Sequence, residues 1–592
     1  MEIELLHKGI QMKRTFFKFL FFLLLLCVSV GISASSRPEI PEIVEKDGVL
    51  WADKGWAADI DGVRVLYLSG SPFEIGMQQG LLSADEPDEL LEIWKSMNPA
   101  YHARGFDRVT WFFKDLYARY QFFPSFKRHT PDEYLKEMEG FILGASRGTE
   151  VSFYDIMMSN ASQDLALTGL ACSAFAAWGE ATADGSLYLG RNLDHAAMMP
   201  MAKYQYLGFY NPDNGYKFVV HNYPSYVGMM SGMNSEGIVI TSNYSIADPQ
   251  ESTIYGIPYM LMLRKALQYG GTIEEVLDII LASPRTAGLN LMVADKQRAV
   301  VAEVTAYRMI VREAEHAIYT TNQFKDPAMK QYQAAGWMAS ALRDQRFEEL
   351  IEENWGTIDV SLSRDFMRDR FAPDSSARLG FVSGIQTDSN MASMVFVPGK
   401  GQVWLGRLGD IDARVPYTAD GAFIGFDAHS IWETGLPQPR IGMLPPTPQE
   451  GFYADWFSVF DAVYLRYLGE YAEALELLED VLTRYPKAEM PLYWAGRLNI
   501  HLGNLNEAFR YLEEYLELGS HNEQFYRFLA KVWTGAIFDT WGERDEALRR
   551  YKSGLQVEID DMPGELTGFR QTAAEGLHTP LRINHEGQVE KQ

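Results

Sequence analysis

The stretch Ala171-Cys172-Ser173-Ala174-Phe175-Ala-Ala-Trp178-Gly179-Glu-Ala-Thr182-Ala-Asp184-Gly185-Ser-Leu-Tyr-Leu-Gly190-Arg191-Asn192-Leu193-Asp194 decides the reading of this 592-residue chain. Asp-Gly between two apolar, alternating runs signals a hairpin turn. The strand that bears Cys172 therefore folds back on the strand ending at Gly190-Arg191, which brings Arg191 and Asp194 near the thiol. A neighbouring guanidinium favours thiolate over thiol, and a carboxylate can hold a cationic group in place. The chain has two cysteines, Cys27 and Cys172. Cys27 falls in an N-terminal segment that reads as a removable signal, so Cys172 stands alone in the mature chain with no disulfide partner. A lone thiol is either a buried small hydrophobe or a group in use.

A cysteine nucleophile needs a proton acceptor. Eleven histidines are present, none in a recognisable Cys-protease setting. His195 is close in sequence, but strand alternation turns it away. The other available base is the α-amino group that a cut between Ala171 and Cys172 would create. Its ordinary pKa, about 7.7–8.0, suits it to take a thiol proton near neutral pH.

Outward from this hairpin the chain divides into blocks. Residues 1–34 read as an export signal: Lys8, Lys13, Arg14 and Lys18 precede the apolar run Phe19 to Val30, and Gly31-Ile-Ser-Ala34 supplies small residues for cleavage. A retained anchor is the alternative. A lipidation signal at Cys27 is disfavoured by bulky Leu26 before it. Residues 35–171 form a pro-segment or α chain, with a strand at Val63 to Leu68 and an amphipathic helix at Glu133 to Ser146. From Cys172 to Asp412 short strands dominate: 187–190, 217–221, 237–242, 289–294, 300–304, 309–311, 393–397 and 402–406. Helices at 272–282 and 327–353 interrupt them. Strands and helices in blocks favour an α+β layered fold over a doubly wound one. The segment 413–450, with Pro416, Pro437, Pro439, Pro445, Pro446 and Pro448, has a linker composition.

Residues 451–560 are helical and repetitive, and 561–592 form a tail. Gly469-Glu-Tyr-Ala-Glu-Ala-Leu returns as Gly503-Asn-Leu-Asn-Glu-Ala-Phe and again as Gly542-Glu-Arg-Asp-Glu-Ala-Leu. The first interval is 34 residues, and the pattern resembles tetratricopeptide repeats. Ala474, Leu478 and Pro486 match that motif in the first unit, and Gly496 and Ala508 in the second, where Ser520 replaces Pro. The repeats are either a surface for a protein partner or a packed appendage.

The formal charge of −26 argues against nucleic acid or an anionic membrane as the main partner. Membrane contact is expected only through a retained signal. The chain shows no His-Glu-x-x-His, Cys pairs, phosphate-binding Gly-Lys loop or dinucleotide fingerprint, so neither metal nor cofactor is expected.

The string Cys-Ser-x-Phe … Thr-x-Asp-Gly-x-x-x-x-Gly-Arg-Asn-x-Asp resembles the start of the catalytic chain in N-terminal-nucleophile hydrolases. It is most similar to the isopenicillin N acyltransferase-like peptidases, and more distantly to penicillin V acylase and bile-salt hydrolase. Gly228-Met-Met-Ser-Gly232-Met-Asn234-Ser-Glu-Gly237 … Asn243, Thr320-Thr321-Asn322-Gln-Phe324 and Ser340-Ala-Leu-Arg343-Asp-Gln-Arg346 extend the likeness, as do Gly70 to Gly80 and Glu137-Met-Glu-Gly-Phe upstream. The resemblance covers about residues 60 to 410 and implies a four-layer αββα fold, self-cleavage before the nucleophile, and hydrolysis or acyl transfer at a linear amide. By position it implies Cys172 as nucleophile with its own amine as base, Asp194 orienting that amine, and Arg191 beside the thiol. Asn322 and Asn243 would supply oxyanion hydrogen bonds, with Tyr244 competing for the second place. Arg343 would complete the site, with Arg346 as the alternative, while Asn234 shapes a loop. Ser173, Ala171 and His195 depart from the usual family residues. Trp178, Met198, Met199, Met201, Tyr204 and Tyr206 suggest an apolar acyl group in an N-acyl or peptide-amide substrate. The competing readings are an inactive hydrolase-fold scaffold whose repeats bind a partner, and an intact-chain Cys–His hydrolase.

Overall fold

Two antiparallel-rich sheets organise the chain. The computed structural model describes residues 40–83, 115–165, 170–195, 201–334, 338–371, 384–387, 389–408, 418–448, 450, 452–518, 524–557, 564–584 and 587–591. The expected export signal, residues 84–114, Met198, Met199 and Ser520 lie outside these residues. The chain divides into the units Met1–Pro41 and Glu42–Gln592, and every described strand and helix belongs to the second.

One sheet has eleven strands, in spatial order Ile43–Lys46, Val49–Ala52, Gly55–Ile60, Val63–Gly70, Tyr206–Pro212, Phe218–Asn222, Ser231–Asn234, Val239–Tyr244, Leu289–Ala294, Ala299–Val304 and Met309–Glu313. The other has seven, in the order Ala317–Thr320, Leu170–Gly179, Gly185–His195, Asn390–Val397, Gln402–Gly406, Phe423–Asp427 and Gly442–Leu444. The sheets face each other. Phe209 of the first meets Phe426 of the second edge-on, and Arg191 of the second reaches Ser231 and Ser242 of the first. Helices cover the outer faces. Phe175 packs outward on Phe347 and Phe366, in the helices Met338–Glu353 and Val360–Met367. Leu267 of the helix Tyr259–Tyr269 lies against Gly232 on the other side. The result is the four-layer αββα arrangement.

Two outer helices of the pro-segment, Pro72–Leu82 and Asp132–Ala145, pack through glycine. A Cβ at Gly76 would sit 1.8 Å from the Glu137 carbonyl oxygen, and one at Gly140 would sit 2.1 Å from that of Phe73. Gly80 and Gly144 repeat the arrangement one turn on, so only glycine permits this backbone approach. Beneath it, Glu137 and Arg264 form a fully buried ion pair at 3.2 Å, with the guanidinium also over the Tyr210 and Phe218 rings. Burial pushes the Glu137 carboxyl up to about 7, against the pull of Arg264.

Several boundaries differ from those the sequence suggests. The pro-segment is part of the sandwich itself: Val63–Gly70 pairs in parallel with Tyr206–Pro212. The proline-rich stretch 413–450 is not a linker. It supplies Phe423–Asp427 and Gly442–Leu444 to the seven-stranded sheet and the helix Ala428–Thr434 between them. Its prolines lie outside these strands, and Gly442–Leu444 is a short edge strand with Pro445, Pro446 and Pro448 after it, the place where proline does least harm to a ladder. The tail 561–592 is also structured. Its hairpin Leu581–Ile583/Val589–Lys591 docks on the last repeat, where the Leu581 amide donates to Asp539 at 2.9 Å.

The repeat region keeps one local pattern while its spacing stretches from 34 residues to 39 between successive turn glycines. Gly469, Gly503 and Gly542 each adopt φ near +80° at the turn between paired helices, and Ala474, Ala508 and Ala547 are each fully buried in the second helix. The hairpin that bears Cys172 is wider than a two-residue turn. Gly179 pairs with Gly185, both with positive φ, and Asp184 caps the turn by accepting from the Ser186 amide.

Candidate active site

The register of the central hairpin sorts the expected site residues by face. Ala171 pairs with Asp194, Cys172 with Leu193, Ser173 with Asn192 and Ala174 with Arg191. Residues directly opposite in an antiparallel pair share a face, and successive residues alternate. Cys172 and Arg191 therefore face the space between the sheets, whereas Ser173, Asn192 and Asp194 face the helices. Sequence proximity to the thiol is thus right for Arg191 but needs correction for Asp194, whose side chain lies on the opposite face of the hairpin from the thiol.

On the inner face, Arg191 Nη2 lies 3.4 Å from Cys172 Sγ. The guanidinium is held by donating Nε to Ser231 Oγ (3.2 Å) and Nη2 to the Ser242 carbonyl (2.7 Å). It is fully buried, and these neutral acceptors fix it without neutralising it. A cation so placed stabilises negative charge on sulfur.

Two side chains hold the Cys172 backbone. Asn322 Oδ1 accepts from the Cys172 amide at 2.7 Å. Arg343 donates to the Cys172 carbonyl (2.7 Å), to Ser173 Oγ (2.7 Å) and to Asn322 Oδ1 (2.9 Å). Asn322 is itself oriented by donating Nδ2 to the Tyr244 carbonyl at 2.8 Å. Arg343 is the arginine of the helix that belongs to the site. Arg346 turns instead to Asp369 and Glu349.

Asp194 is fully buried. Its Oδ1 accepts from Asn390 Nδ2 at 2.9 Å, and Asn390 Oδ1 in turn accepts from Thr418 Oγ1 and the Ala419 amide, so the proline-rich stretch braces the site. Among the described residues Asp194 Oδ2 makes no well-formed hydrogen bond, and the Thr387 hydroxyl is the polar side chain beside the carboxyl. Burial pushes the carboxyl up to about 6, with Asn390, Arg343, Arg191 and the nearby Thr387 hydroxyl pulling the other way.

By the register of the hairpin His195 falls on the same face as Cys172 and Arg191 rather than turned away, and Asn243 is fixed through its side chain. Asn243 Nδ2 donates to the Thr320 carbonyl at 2.7 Å, tying the two sheets together and using one of its two amide hydrogens. Tyr244 contributes its carbonyl, not its ring. His195 pairs with Leu170. Burial holds its imidazole down at about 4, and neither ring nitrogen has a partner. Among the described residues no imidazole hydrogen-bonds Cys172 Sγ, which leaves the intact-chain Cys–His reading without a base. Asn234 shapes a loop, donating to the Leu267 and Gly270 carbonyls and accepting from the Glu236 and Ile238 amides.

Sequence reasoning missed Ser231, Asn390 and Asn290. Asn290 Nδ2 donates to the carbonyls of Thr321 and Gln323, which fixes the turn presenting Asn322. Each is a buried polar residue inside an apolar strand, and that oddity is the signal that would have found them. Among the described residues no cluster of potential metal ligands occurs, and no helix is long and apolar enough to cross a membrane.

Residues 181–407 match the family model described as acyl-coenzyme A:6-aminopenicillanic acid acyl-transferase, and residues 465–532 match the tetratricopeptide repeat. An uncharacterized protein from Archaeoglobus fulgidus is 25% identical over 59% of this chain and 64% of its own length. Protein dcd1B from Dictyostelium discoideum is 24% identical over 40% of this chain and 49% of its own. The chain thus spans about half to two thirds of these two relatives. Among solved structures, a Caenorhabditis elegans N-acylethanolamine-hydrolyzing acid amidase ortholog aligns with 38% of this chain and 93% of its own, at 16% identity and a TM-score of 0.30. A mutant of conjugated bile acid hydrolase from Clostridium perfringens aligns with 48% and 99%, at 15% identity and a TM-score of 0.30. Residues 181–407, whose first strand pairs with the strand that bears Cys172, thus carry the likeness to that acyl-transferase family model, and residues 465–532 the likeness to the tetratricopeptide repeat.

Proposed function

We propose that this is an exported, self-processing cysteine hydrolase or acyltransferase that acts on linear amides after cleavage between Ala171 and Cys172. The observation that carries the reading is the treatment of the Cys172 backbone nitrogen. It is held at 2.7 Å by the Asn322 side chain, in a site where buried Asp194 Oδ2 makes no well-formed hydrogen bond. A buried carboxylate oxygen left so is costly, and an α-ammonium on residue 172 is a group that would pair it.

In the maturation step, Cys172 Sγ adds to the Ala171 carbonyl carbon, the Ala171–Cys172 C–N bond breaks, and the resulting ester of sulfur is hydrolysed. The products are a carboxylate on Ala171 and a free amine on Cys172. In turnover that amine takes the thiol proton as sulfur attacks the substrate carbonyl. Arg191 stabilises the developing thiolate, and the proton passes to the departing amine. Asn322 and Asn243 each keep one amide hydrogen for the oxyanion, where a donor aimed at transition-state charge is most effective. Water or an acceptor amine then resolves the thioester.

Intact-mass measurement of purified protein tests this. Two fragments divided between Ala171 and Cys172, with both processing and amidase activity lost in Cys172→Ala, are the expected result. An uncut chain with full amidase activity would overturn the proposal, and an uncut, inert wild type would favour the scaffold reading.

A further inference from the structure

A cavity of about 640 Å³ lies where the pro-segment meets the seven-stranded sheet, within the size range of pockets that hold small ligands. Its walls come from the strands Gly55–Ile60 and Val63–Gly70, the end of the helix Pro72–Leu82 and the end of the strand Gln402–Gly406. Four cations line it: Arg64 and Arg147 from the pro-segment, Lys203 and Arg407 from beyond Cys172. Arg64 and Arg407 are half-buried, whereas Arg147 and Lys203 are exposed. Arg64 donates Nη2 to the Leu82 carbonyl, and Arg407 donates Nη1 to the Asp61 carbonyl at 2.7 Å. Both acceptors are neutral, so these bonds orient the guanidiniums without cancelling their charge. Asp59 is the one acid among the described lining residues, and its Oδ1 accepts from the Gly62 amide at 2.8 Å. Four cations against one acid reverse the balance of a chain whose net charge is −26.

Between the cations the wall is aliphatic. Val63, Leu81, Leu82 and Leu405 are buried, and the less buried Leu50 and Leu408 continue the surface. No aromatic ring occurs among the described lining residues, so a nucleobase would find nothing to stack on. An alkyl chain fits this wall, and an anion fits the cations. A phosphate monoester carries nearly two charges, whose desolvation against leucine is costly. A carboxylate carries one, and its planar pair of oxygens matches a guanidinium fork. The cavity is also separate from the nucleophile. The strand Gln402–Gly406 lies three strands from the one that bears Cys172, about 14 Å at ~4.8 Å per strand.

We propose that this cavity binds a long-chain carboxylate, with the alkyl chain on the leucine wall and the head group held by Arg64 and Arg407, inside the wider field of Arg147 and Lys203. Because its lining comes from both sides of Cys172, the bound acid joins the pro-segment to the seven-stranded sheet. The site does not depend on amidase activity.

Displacement of 11-(dansylamino)undecanoate from the full-length protein by dodecanoate, below micelle formation, tests the assignment. Saturable binding of the probe is expected, with dodecanol displacing it at least about tenfold more weakly than dodecanoate. Arg64→Gln and Arg407→Gln are each expected to weaken dodecanoate about tenfold, and exposed Arg147→Gln or Lys203→Gln about threefold. Should the first pair fail to fold, the double variant Arg147→Gln/Lys203→Gln carries the test, with a loss of about tenfold expected. Equal binding of acid and alcohol, tighter binding of dodecyl phosphate than of dodecanoate, or full affinity in the folded variants would each overturn the proposal.

Discussion

The catalytic sandwich and the repeat array are stabilised by opposite strategies. In the sandwich the decisive contacts join residues far apart in the chain: Cys172 to Asn322 and Arg343, and Glu137 to Arg264. The Val63–Gly70 strand pairs with Tyr206–Pro212 across the expected cut. In the repeats each helix packs on its sequence neighbours, and glycine turns at positions 469, 503 and 542 set the geometry. A fold tied together over long range would survive the proposed loss of one peptide bond at Cys172, because hydrogen bonds and burial on both sides of the cut would persist. A local, stacked fold gains nothing from such ties and instead tolerates changes confined to one unit.

The largest test of this contrast is Asn322→Ala. It removes the acceptor for the Cys172 nitrogen and one partner of Arg343. Processing and kcat are expected to fall by about two to three orders of magnitude, with the repeat region's helical signal unchanged. Single-turnover kinetics with a mass readout separates the two steps. A change in KM alone would show that Asn322 merely shapes the pocket.

Asp194 gives the next largest effect, and one with a defined pH window. Its carboxyl is raised from 3.8 to about 6 in the uncut chain, so the folded state holds the proton more tightly than the unfolded one. That contribution to stability is complete below about pH 4 and is lost as pH rises through 6, roughly 3 kcal/mol in all at about 1.4 kcal/mol per pKa unit. In the uncut Cys172→Ala background, Asp194→Asn is therefore expected to be more stable than its parent at pH 7 and equal to it near pH 4, as read by urea denaturation. In processed enzyme the new ammonium offsets the carboxylate, and the same substitution is expected to bring no gain in stability while activity is lost. A constant difference between pH 4 and 7 in the uncut pair would remove the buried carboxylate from the account.

How much of this was legible in the sequence follows the same division. The repeats announced themselves through a 34-residue period because every unit solves the same packing problem locally. The hairpin and its alternation placed Cys172 beside Arg191, and motif order brought Asn322 and Arg343 to the same strand. What escaped was long-range: Asn390 bracing Asp194 through Thr418, and strands hidden in the proline-rich 413–450 stretch. Their partners lie dozens to hundreds of residues away, and no local pattern encodes them. The two-sided placement of Cys172 and Asp194 was also implicit in alternation, but it became readable only once the register Ala171–Asp194 was known.

Glycine substitutions draw the comparison at its finest. Gly76→Ala puts a Cβ 1.8 Å from a backbone oxygen of the facing helix, against 3.4 Å or more for ordinary contact. The helices must part by well over an ångström, which also pulls on the Glu137–Arg264 pair. Overpacking of this kind costs about 1–3 kcal/mol or more, against roughly 1 kcal/mol gained from alanine's helix propensity, so the net loss is expected to exceed about 1 kcal/mol. Gly503→Ala meets no atom within 4 Å and suffers only from its φ of +77°. The left-handed penalty is about 1–2 kcal/mol, partly offset by a stiffer unfolded chain, which leaves a net loss of about 1 kcal/mol. Gly76→Ala is accordingly expected to slow processing as well as lower Tm, because its strain reaches a helix packed on the catalytic layers. Gly503→Ala is expected to lower the stability of the repeats while processing proceeds at the wild-type rate. Slowed cleavage in Gly503→Ala would mean that the two halves are coupled more tightly than their separate modes of packing require.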